Sequence, residues 1–376
     1  MEFKIAVEEL QSIVTRLSYI VRMNDTGTPG MILIDVNENG EVVFKATDGS
    51  MHLVVSAANC EVVSPGKSLF YLREIRGYVM KFVPLIDNYG TKDFHFMINF
   101  PEGLLKTKTE FPSNRPAYRK LKFLAFDPSV FPIIKPFDEA QLIVNSSVLR
   151  TGIERVLHCI NPTDVRRPLT GVNMTIMDDK VVFVGTNGIK LSEFTVEINA
   201  DISNKSYILR YNFASALKSV LDNDAQVFMK FDAGNVYAKS NHIYLAGNLI
   251  VSEAYPDYKV MFNLNQSFEI PRLDFADSVK TVMDVLDPED NHRLNINITD
   301  KRMSLRNDKT ESIQDFEENF GFGLDIDVNG LFLESILRDF RDDQIVVNFQ
   351  VGNPYIVFQS PHNASQVSLI SLLKRR

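Results

Sequence analysis

The sequence predicts an α+β protein made of three similar domains, each with two helices packed on antiparallel sheets. Three observations predict this fold class: six segments with helical periodicity, β-hairpin patterns between them, and the recurrence of both along the chain. The chain has 376 residues, of which 45% are apolar and 23% are charged. This composition is typical of a globular protein, and the length allows two to four domains of roughly 100–200 residues.

Six segments carry apolar residues at every third or fourth position, which is the pattern of an amphipathic helix. In chain order they begin at Val7, Tyr71, Ser146, Tyr211, Arg272 and Asn329. Neighbouring starts lie roughly 60–75 residues apart, and such regular spacing indicates an internal repeat. In the first segment, Leu10, Ile13 and Leu17 should form the buried face.

The segments between the helices are rich in Val, Ile and Phe and are interrupted by turn residues, so they predict β-hairpins. Two hairpins end in closely similar turns, at Thr47-Asp48-Gly49 and at Thr186-Asn187-Gly188, and a third ends near Asn307. The larger repeat is thus roughly 120–145 residues long. We expect domains at residues 1–138, 139–265 and 266–376.

The charge balance limits the kinds of partner. Forty basic and 48 acidic residues give a net charge of −8, which argues against a protein whose main activity is tight phosphate binding. No apolar run is long enough to span a membrane, and the N-terminus does not have the pattern of a secretory signal. The two cysteines, Cys60 and Cys159, fit a reducing compartment, so we expect a cytoplasmic location and no membrane partner.

A search for catalytic and metal-binding patterns gives no candidate. The six histidines form no zinc motif, and no phosphate-binding or nucleophile motif is present. The loops that begin at Asp35 and Asp325 resemble half of an EF-hand, but Ala46 and Ile336 occupy the positions of the required Glu. We therefore expect no catalytic residue, no metal and no cofactor.

Basic side chains on the predicted helices are mildly enriched relative to the acidic chain. They suggest a surface that touches phosphates, although a solvated helix face explains them as simply, and the fifth helix is rich in Asp. The candidates are Arg16, Arg22, Arg73, Arg76, Arg150, Arg155, Lys218, Lys280, Arg338 and Arg341.

Several stretches resemble the bacterial DNA polymerase sliding clamp, the beta subunit, in a divergent form that would suit a phage-encoded member. DVRRPLTGVNMTIMDDKVVFVGTNGIKLSEF resembles the middle domain of that family, with Leu169, Gly171, Thr186, Gly188 and Leu191 at its motif positions. NLIVSEAYPDYKVMF and FKATDGSMHLVV resemble two further family segments. The resemblance runs along the whole chain and implies the DNA-clamp fold, with three domains per subunit.

The resemblance implies a non-catalytic ring, closed by two copies of the chain, that encircles double-stranded DNA without regard to sequence. The expected partners are therefore DNA, a DNA polymerase, an ATP-dependent clamp loader and a second copy of the chain. A ring retains DNA by topology, which is compatible with an acidic protein and only modest positive charge at the hole. Val285 and Leu286 are the expected dimer contacts.

The resemblance also implies a pocket in which partner proteins insert Leu and Phe anchors. It would be formed by Leu169, Thr186, Gly188, Lys190, Leu191, Pro256, Tyr258, Met261, Leu369, Ile370, Leu372 and Leu373. The simpler reading is that Leu169 and Leu191 are core residues. Ile189 and Leu372 depart from the family pattern, so a more apolar pocket with its own peptide preference is expected.

Two other functions remain open from the sequence. A β-rich structural or assembly protein, for example of a virion, would have no need for six amphipathic helices. An enzyme of unrecognised type would need catalytic groups that the motif search does not find.

Overall fold

The computed structural model of the chain describes residues 1–82, 91–99, 102–110, 116–198, 204–251, 253–285, 292–316, 320–361 and 365–374.

The described residues contain six α-helices at the six predicted segments. They are α1 Val7–Leu17, α2 Leu72–Val79, α3 Ser146–Leu157, α4 Tyr211–Val220, α5 Arg272–Met283 and α6 Gly330–Asp339. Each helix begins directly after a strand, so a strand–helix unit occurs six times. The predicted faces are confirmed where they are described: Leu10, Ile13 and Leu17 of α1 are all buried. In α6, the Asn329 side chain accepts a hydrogen bond from the Phe332 backbone, which caps the helix as its sequence position indicates.

The strands complete the fold class that the sequence predicted. They are β1 Glu2–Ala6, β2 Met31–Val36, β3 Val42–Thr47, β4 Met51–Ser56, β5 Cys60–Ser64, β6 Gly66–Tyr71, β7 Thr91–Asn99, β8 Glu102–Glu110, β9 Pro116–Leu124, β10 Leu142–Asn145, β11 Gly171–Ile176, β12 Lys180–Thr186, β13 Lys190–Glu197, β14 Lys205–Arg210, β15 Gln226–Phe231, β16 Asn235–Ser240, β17 Ile243–Ile250, β18 Gln266–Pro271, β19 Arg293–Thr299, β20 Arg302–Arg306, β21 Glu311–Asp315, β22 Leu324–Asn329, β23 Gln344–Phe349, β24 Tyr355–Gln359 and β25 Gln366–Ser371.

The chain divides into two compact units, of which the first contains residues 1–150 and 215–249. Its strands form two antiparallel sheets. One has the order β5-β1-β7-β8-β9 and the other the order β6-β2-β3-β4-β17-β16-β15-β10. Helices α1 and α2 pack together in this unit, where the Gln11 side chain donates a hydrogen bond to the Val79 carbonyl at 3.1 Å. Phe3, Phe44 and Phe70 are among its fully buried side chains.

The second unit contains residues 151–214 and 250–376. Its larger sheet has the order β14-β11-β12-β13-β25-β24-β23-β18, and its smaller sheet the order β21-β20-β19-β22. Helices α5 and α6 pack closely, since a side chain at Gly330 would collide with Met283. A core of Phe, Ile, Leu and Val side chains lies around them and includes Phe275, Leu333 and Phe358.

The two eight-stranded sheets repeat one plan. In the first unit, a strand of one hairpin, β4, pairs with β17, which is the last strand before a linker. In the second unit, the corresponding strand β13 pairs with β25, the last strand of the chain. Both joints are antiparallel. Strand order therefore repeats as the sequence periodicity predicted, whereas the three domain boundaries remain a prediction.

Candidate functional site

An apolar cluster lies on one face of the sheet at the joint between β13 and β25. Leu191 pairs directly with Leu369 across this joint. We call the following cluster the apolar slot: its buried floor is Val182, Val184, Leu191, Val357, Val367 and Leu369, and its half-buried wall is Tyr255, Tyr258, Met261, Phe262, Leu264 and Tyr355. The half-buried members of this cluster offer apolar surface to large apolar anchor side chains.

Four of the predicted pocket residues belong to this slot: Leu191, Tyr258, Met261 and Leu369. Strand alternation explains the floor, because Val182 and Val184 on β12 and Leu191 on β13 share one face of the sheet. The sequence analysis missed Val182, Val184, Val357, Val367 and Tyr255. The alternation of β12 was the available signal, but each of its two faces is apolar, so the sequence did not show which one faces outward.

The turn between β12 and β13 holds one end of the slot. Thr186 donates its hydroxyl to the Lys190 carbonyl at 2.7 Å and accepts a bond from the Gly188 backbone at 3.0 Å. The Asn187 side chain accepts from the backbone N–H groups of Ile189 and Lys190. These bonds fix the turn tightly, so Thr186 and Gly188 shape the slot through the backbone.

Arg166 covers this turn. Its guanidinium donates to the Asn187 carbonyl at 2.9 Å and to both oxygens of Asp164. Those hydrogen bonds lower the pKa of Asp164 to about 2. A side chain added at Gly188 would meet the Arg166 guanidinium, so Gly188 permits this close approach.

Lys190 is buried and points away from solvent. Its ammonium donates to Ser335 at 3.3 Å and lies over the Phe332 ring at 4.8 Å, so it ties β13 to α6. Burial lowers the pKa of Lys190. Lys190 therefore stabilises the packing of β13 on α6, and its ammonium does not face the slot.

The remaining predicted pocket residues lie outside the slot. Leu169 is buried in the short helical turn before β11, and Pro256 is exposed in the linker. Ile370 and Leu372 pack with the core around α5 and α6. The Leu373 backbone donates to the Asp327 carbonyl at 2.7 Å. Ile370, Leu372 and Leu373 therefore stabilise the core around α5 and α6 and the strand β22, and they do not form the wall of the slot.

A carboxylate lies at the far end of the slot. Glu193 is buried, and it accepts hydrogen bonds from the Tyr258 hydroxyl at 2.5 Å and from Lys259 at 2.7 Å. Burial, followed by the nearby Glu193 charge, raises the pKa of Tyr258. Neither Glu193 nor Lys259 was predicted. Glu193 follows Leu191 by two residues on the same face of β13 and lies opposite Val367, so it interrupts the apolar row, and that interruption was a usable signal.

The ten basic candidates fall into two groups. Six are exposed: Arg22, Arg73, Arg76, Lys280, Arg338 and Arg341. The other four, Arg16, Arg150, Arg155 and Lys218, are half-buried.

The half-buried arginines make contacts inside their own units. Arg16 forms an ion pair with Asp222, and Arg150 donates to Asn223 and to the Leu221 carbonyl at 2.6 Å. Arg155 lies over the Phe194 ring at 5.7 Å. Burial, followed by the neighbouring Arg341, lowers the pKa of Arg155. These three are better described as packing contacts than as open phosphate contacts.

Of the two predicted dimer contacts, Val285 follows α5 and is 49% exposed. Leu286 lies outside the described residues. Across the described ranges, no group of three or more His, Cys, Asp or Glu side chains could hold a metal ion. A search of those ranges for a helix long and apolar enough to cross a membrane finds none.

Comparison with known proteins first identifies the class of protein that this chain resembles. Residues 143–257 match the family described as DNA polymerase III beta subunit, central domain. The DNA polymerase III subunit beta of Pseudomonas aeruginosa has a similar structure, with a TM-score of 0.86, 14% identity and full coverage of both chains. The corresponding Thermotoga maritima structure gives 0.85 at 16% identity, again over both full chains. The fold is the DNA-clamp fold.

The proteins that resemble this chain in sequence include beta sliding clamps. The beta sliding clamp of Chlamydia trachomatis is 24% identical over 96% of this chain and 84% of its own length. That of Buchnera aphidicola is 23% identical over 92% and 91%. The predicted resemblance is confirmed: the chain is similar in sequence and in fold to the bacterial-type sliding clamps.

Proposed function

We propose that this chain is a DNA sliding clamp, a non-catalytic ring that encircles duplex DNA and tethers a polymerase to it. The repeated strand order carries this proposal. Joints β4–β17 and β13–β25 each connect one repeat to the next. A third joint of the same kind, made between two copies, would close a head-to-tail ring.

The strands for that third joint are present at opposite ends of the repeat. By its place in the smaller sheet, β21 corresponds to β4 and β13, and β9 corresponds to β17 and β25. Among the described strands, β21 pairs only with β20, and β9 pairs only with β8. Each is thus the last strand of its sheet, and such an edge is a template for pairing with another chain.

Charge supports the pairing of these two edges. Strand β9 has the sequence PAYRKLKFL and β21 has ESIQD. Lys120 on the first and Glu311 on the second have opposite charges, while Asp315 is already paired with Arg302 at 2.7 Å. Opposite charge favours the joint between unlike edges and disfavours β9–β9 or β21–β21 pairing.

The first test measures native mass. We expect two chains per particle, twice the 42.7 kDa of one chain, and retention on nicked circular DNA with loss from linear DNA. Replacing Lys120 with Glu should weaken the dimer, and adding Glu311→Lys should restore it. A strictly monomeric native mass at micromolar concentration would contradict the ring.

We place the DNA contacts on the exposed helix arginines. Arg73 and Arg76 lie three residues apart on α2 and are exposed. Arg338 lies in the last turn of α6, and Arg341 follows the helix. Exposed arginines of this kind give loose contacts with phosphates, and contacts of this type carry no sequence information.

The second test reverses these charges. Arg73→Glu with Arg76→Glu should reduce processive synthesis and retention on circular DNA while leaving native mass unchanged, since exposed substitutions alter stability by about 0.5 kcal/mol or less. Lys67→Glu with Lys205→Glu is the matched control, because both lysines are exposed strand residues outside the helices. Equal loss of processive synthesis in both variants would show an effect of net charge alone. Arg73 and Arg76 would then not be assigned as DNA contacts.

The apolar slot is the proposed docking site for a polymerase and for an ATP-dependent loader. Anchors of the Leu and Phe type fit its floor, and a few such side chains carry most of the energy of an interface. We retain boundaries near residues 138 and 265, a cytoplasmic location and Val285 as a dimer contact as parts of the same proposal.

A further inference from the structure

The floor of the apolar slot continues along β13 beyond the apolar residues. Alternate residues of a strand face the same side, so Leu191, Glu193, Thr195 and Glu197 form one row on the outer face. Leu191 belongs to the slot, and Glu193 marks its end. Thr195 and Glu197 continue the row for a further roughly 13 Å at about 3.3 Å per residue.

A cavity of about 830 Å3 lies over this continuation. Its lining includes Lys180, Val182, Glu193, Thr195, Glu197 and Lys259. Val182 also lies in the floor of the slot, and Glu193 contacts Tyr258 of the slot wall. The slot and the cavity are therefore continuous, and the Glu193–Lys259 ion pair stands at their boundary.

The cavity favours a positive charge. Lys259 is neutralised by Glu193, with 2.6 Å between the Lys259 ammonium and the second carboxylate oxygen. The other ionisable side chains of the lining are the carboxylates Asp179 and Glu197 and the amine of Lys180, which leaves one negative charge in excess.

The cavity also accommodates an aliphatic stem. Met177 and Val182 contribute apolar surface beside the carboxylates. Lys and Arg side chains combine an apolar stem with a charged end, so they match this combination better than a short polar or an acidic side chain does.

We propose that this cavity holds a Lys or Arg side chain of the partner peptide, four to six residues from the anchors that fill the apolar slot. The spacing follows from the row itself, because an extended peptide and a strand advance by similar distances per residue. This inference rests on the proposed docking function of the slot, and it adds the chemistry of the flanking segment.

The test uses synthetic peptides with Leu and Phe anchors and one variable residue five positions away. The variable residue is Lys, Ala or Glu, placed before the anchors in one series and after them in the other. Binding to the full chain is followed by fluorescence anisotropy. In one series, the Lys peptide should bind roughly two- to fivefold more tightly than the Ala peptide, and the Glu peptide should bind more weakly than either. The preference should shrink as salt rises from about 0.1 M to about 0.5 M.

Protein variants locate the effect. Glu197→Gln should reduce the preference for Lys and leave the Ala peptide unaffected. Glu269→Gln is the matched control, because Glu269 is also exposed on a strand but lies outside the cavity lining. Lys and Glu peptides of equal affinity, or a preference that survives Glu197→Gln, would overturn the inference. Failure of every peptide to bind would instead refute docking in the slot.

Discussion

The hairpin turns at Gly49 and Gly188 have the same chemistry in different surroundings. Thr47 donates to the Met51 carbonyl at 2.8 Å, as Thr186 does to Lys190 at 2.7 Å. Both glycines have left-handed backbones, with φ of +90° and +83°, and in both turns the residue after the threonine accepts backbone N–H bonds.

The strands that follow these turns differ. His52 on β4 takes the place that Leu191 takes on β13, directly after the residue that accepts the threonine hydroxyl. Leu191 lies in an apolar cluster, whereas His52 is half-buried and its Nδ1 makes no hydrogen bond within the described part of the chain.

The linkers that accompany the two joints differ as well. In the second unit, Tyr258 and Met261 of the linker form the wall of the slot. In the first unit, Phe126, Phe131 and Ile134 of the linker pack on an apolar cluster beside β2 and β6. At Lys135 the linker contacts are polar: Lys135 pairs with Asp232, and the Tyr244 hydroxyl donates to the Lys135 carbonyl at 2.7 Å. The comparison teaches that the repeated fold supplies the turn and the joint, while side-chain choice at a few positions creates the apolar slot.

Truncating the slot should give the largest effect. Leu191→Ala removes a buried leucine and should cost about 2–5 kcal/mol of unfolding free energy. It should also abolish measurable binding of a peptide with Leu and Phe anchors. Urea denaturation followed by circular dichroism gives the first quantity, and anisotropy gives the second. The control Val54→Ala changes a half-buried residue on β4, so peptide binding should be retained.

Replacing Gly49 and Gly188 with alanine should distinguish the free energy of backbone strain from that of the lost Arg166 contact. Gly49→Ala meets no atom within 4 Å and should cost only the left-handed strain of about 1–2 kcal/mol. Gly188→Ala carries the same strain and also displaces Arg166, which adds roughly 0.5–1.5 kcal/mol for the lost hydrogen bond to Asn187. Equal losses in urea denaturation would show that Arg166 does not stabilise its turn.

The smallest effect concerns pH. Burial lowers the pKa of His52 below 6.5, although the nearby Asp48 opposes the shift. The unfolded chain therefore binds the proton first as pH falls below 6.5, and the folded state loses stability over that interval until His52 itself is protonated. His52→Leu should remove this part of the pH dependence, seen as a smaller fall in the urea midpoint between pH 7.5 and pH 5.5. If the urea midpoint of His52→Leu fell by the same amount between pH 7.5 and pH 5.5, a group other than His52 would be responsible.

Sequence alone determined the local structure and the repeat. Helix periodicity depends on the spacing of apolar residues, and each predicted segment is a helix because one face could be buried along its whole length. The turns at Gly49 and Gly188 were also readable, because threonine, an Asx residue and glycine satisfy and permit this backbone locally. The resemblance named Leu191, Tyr258, Met261 and Leu369, which share one apolar cluster, and their role in docking stays a prediction.

Only the tertiary structure decided which apolar residues face the slot and which face the core. Leu369 and Ile370 are adjacent in the sequence, and both are buried, but a strand sends neighbouring side chains to opposite faces. Leu369 therefore lies in the slot and Ile370 in the core around α5 and α6. In the same way, the burial of Lys190 and the position of Glu193 at the end of the slot depend on α6 and the linker. These elements are distant in the sequence, and no local pattern encodes their contact.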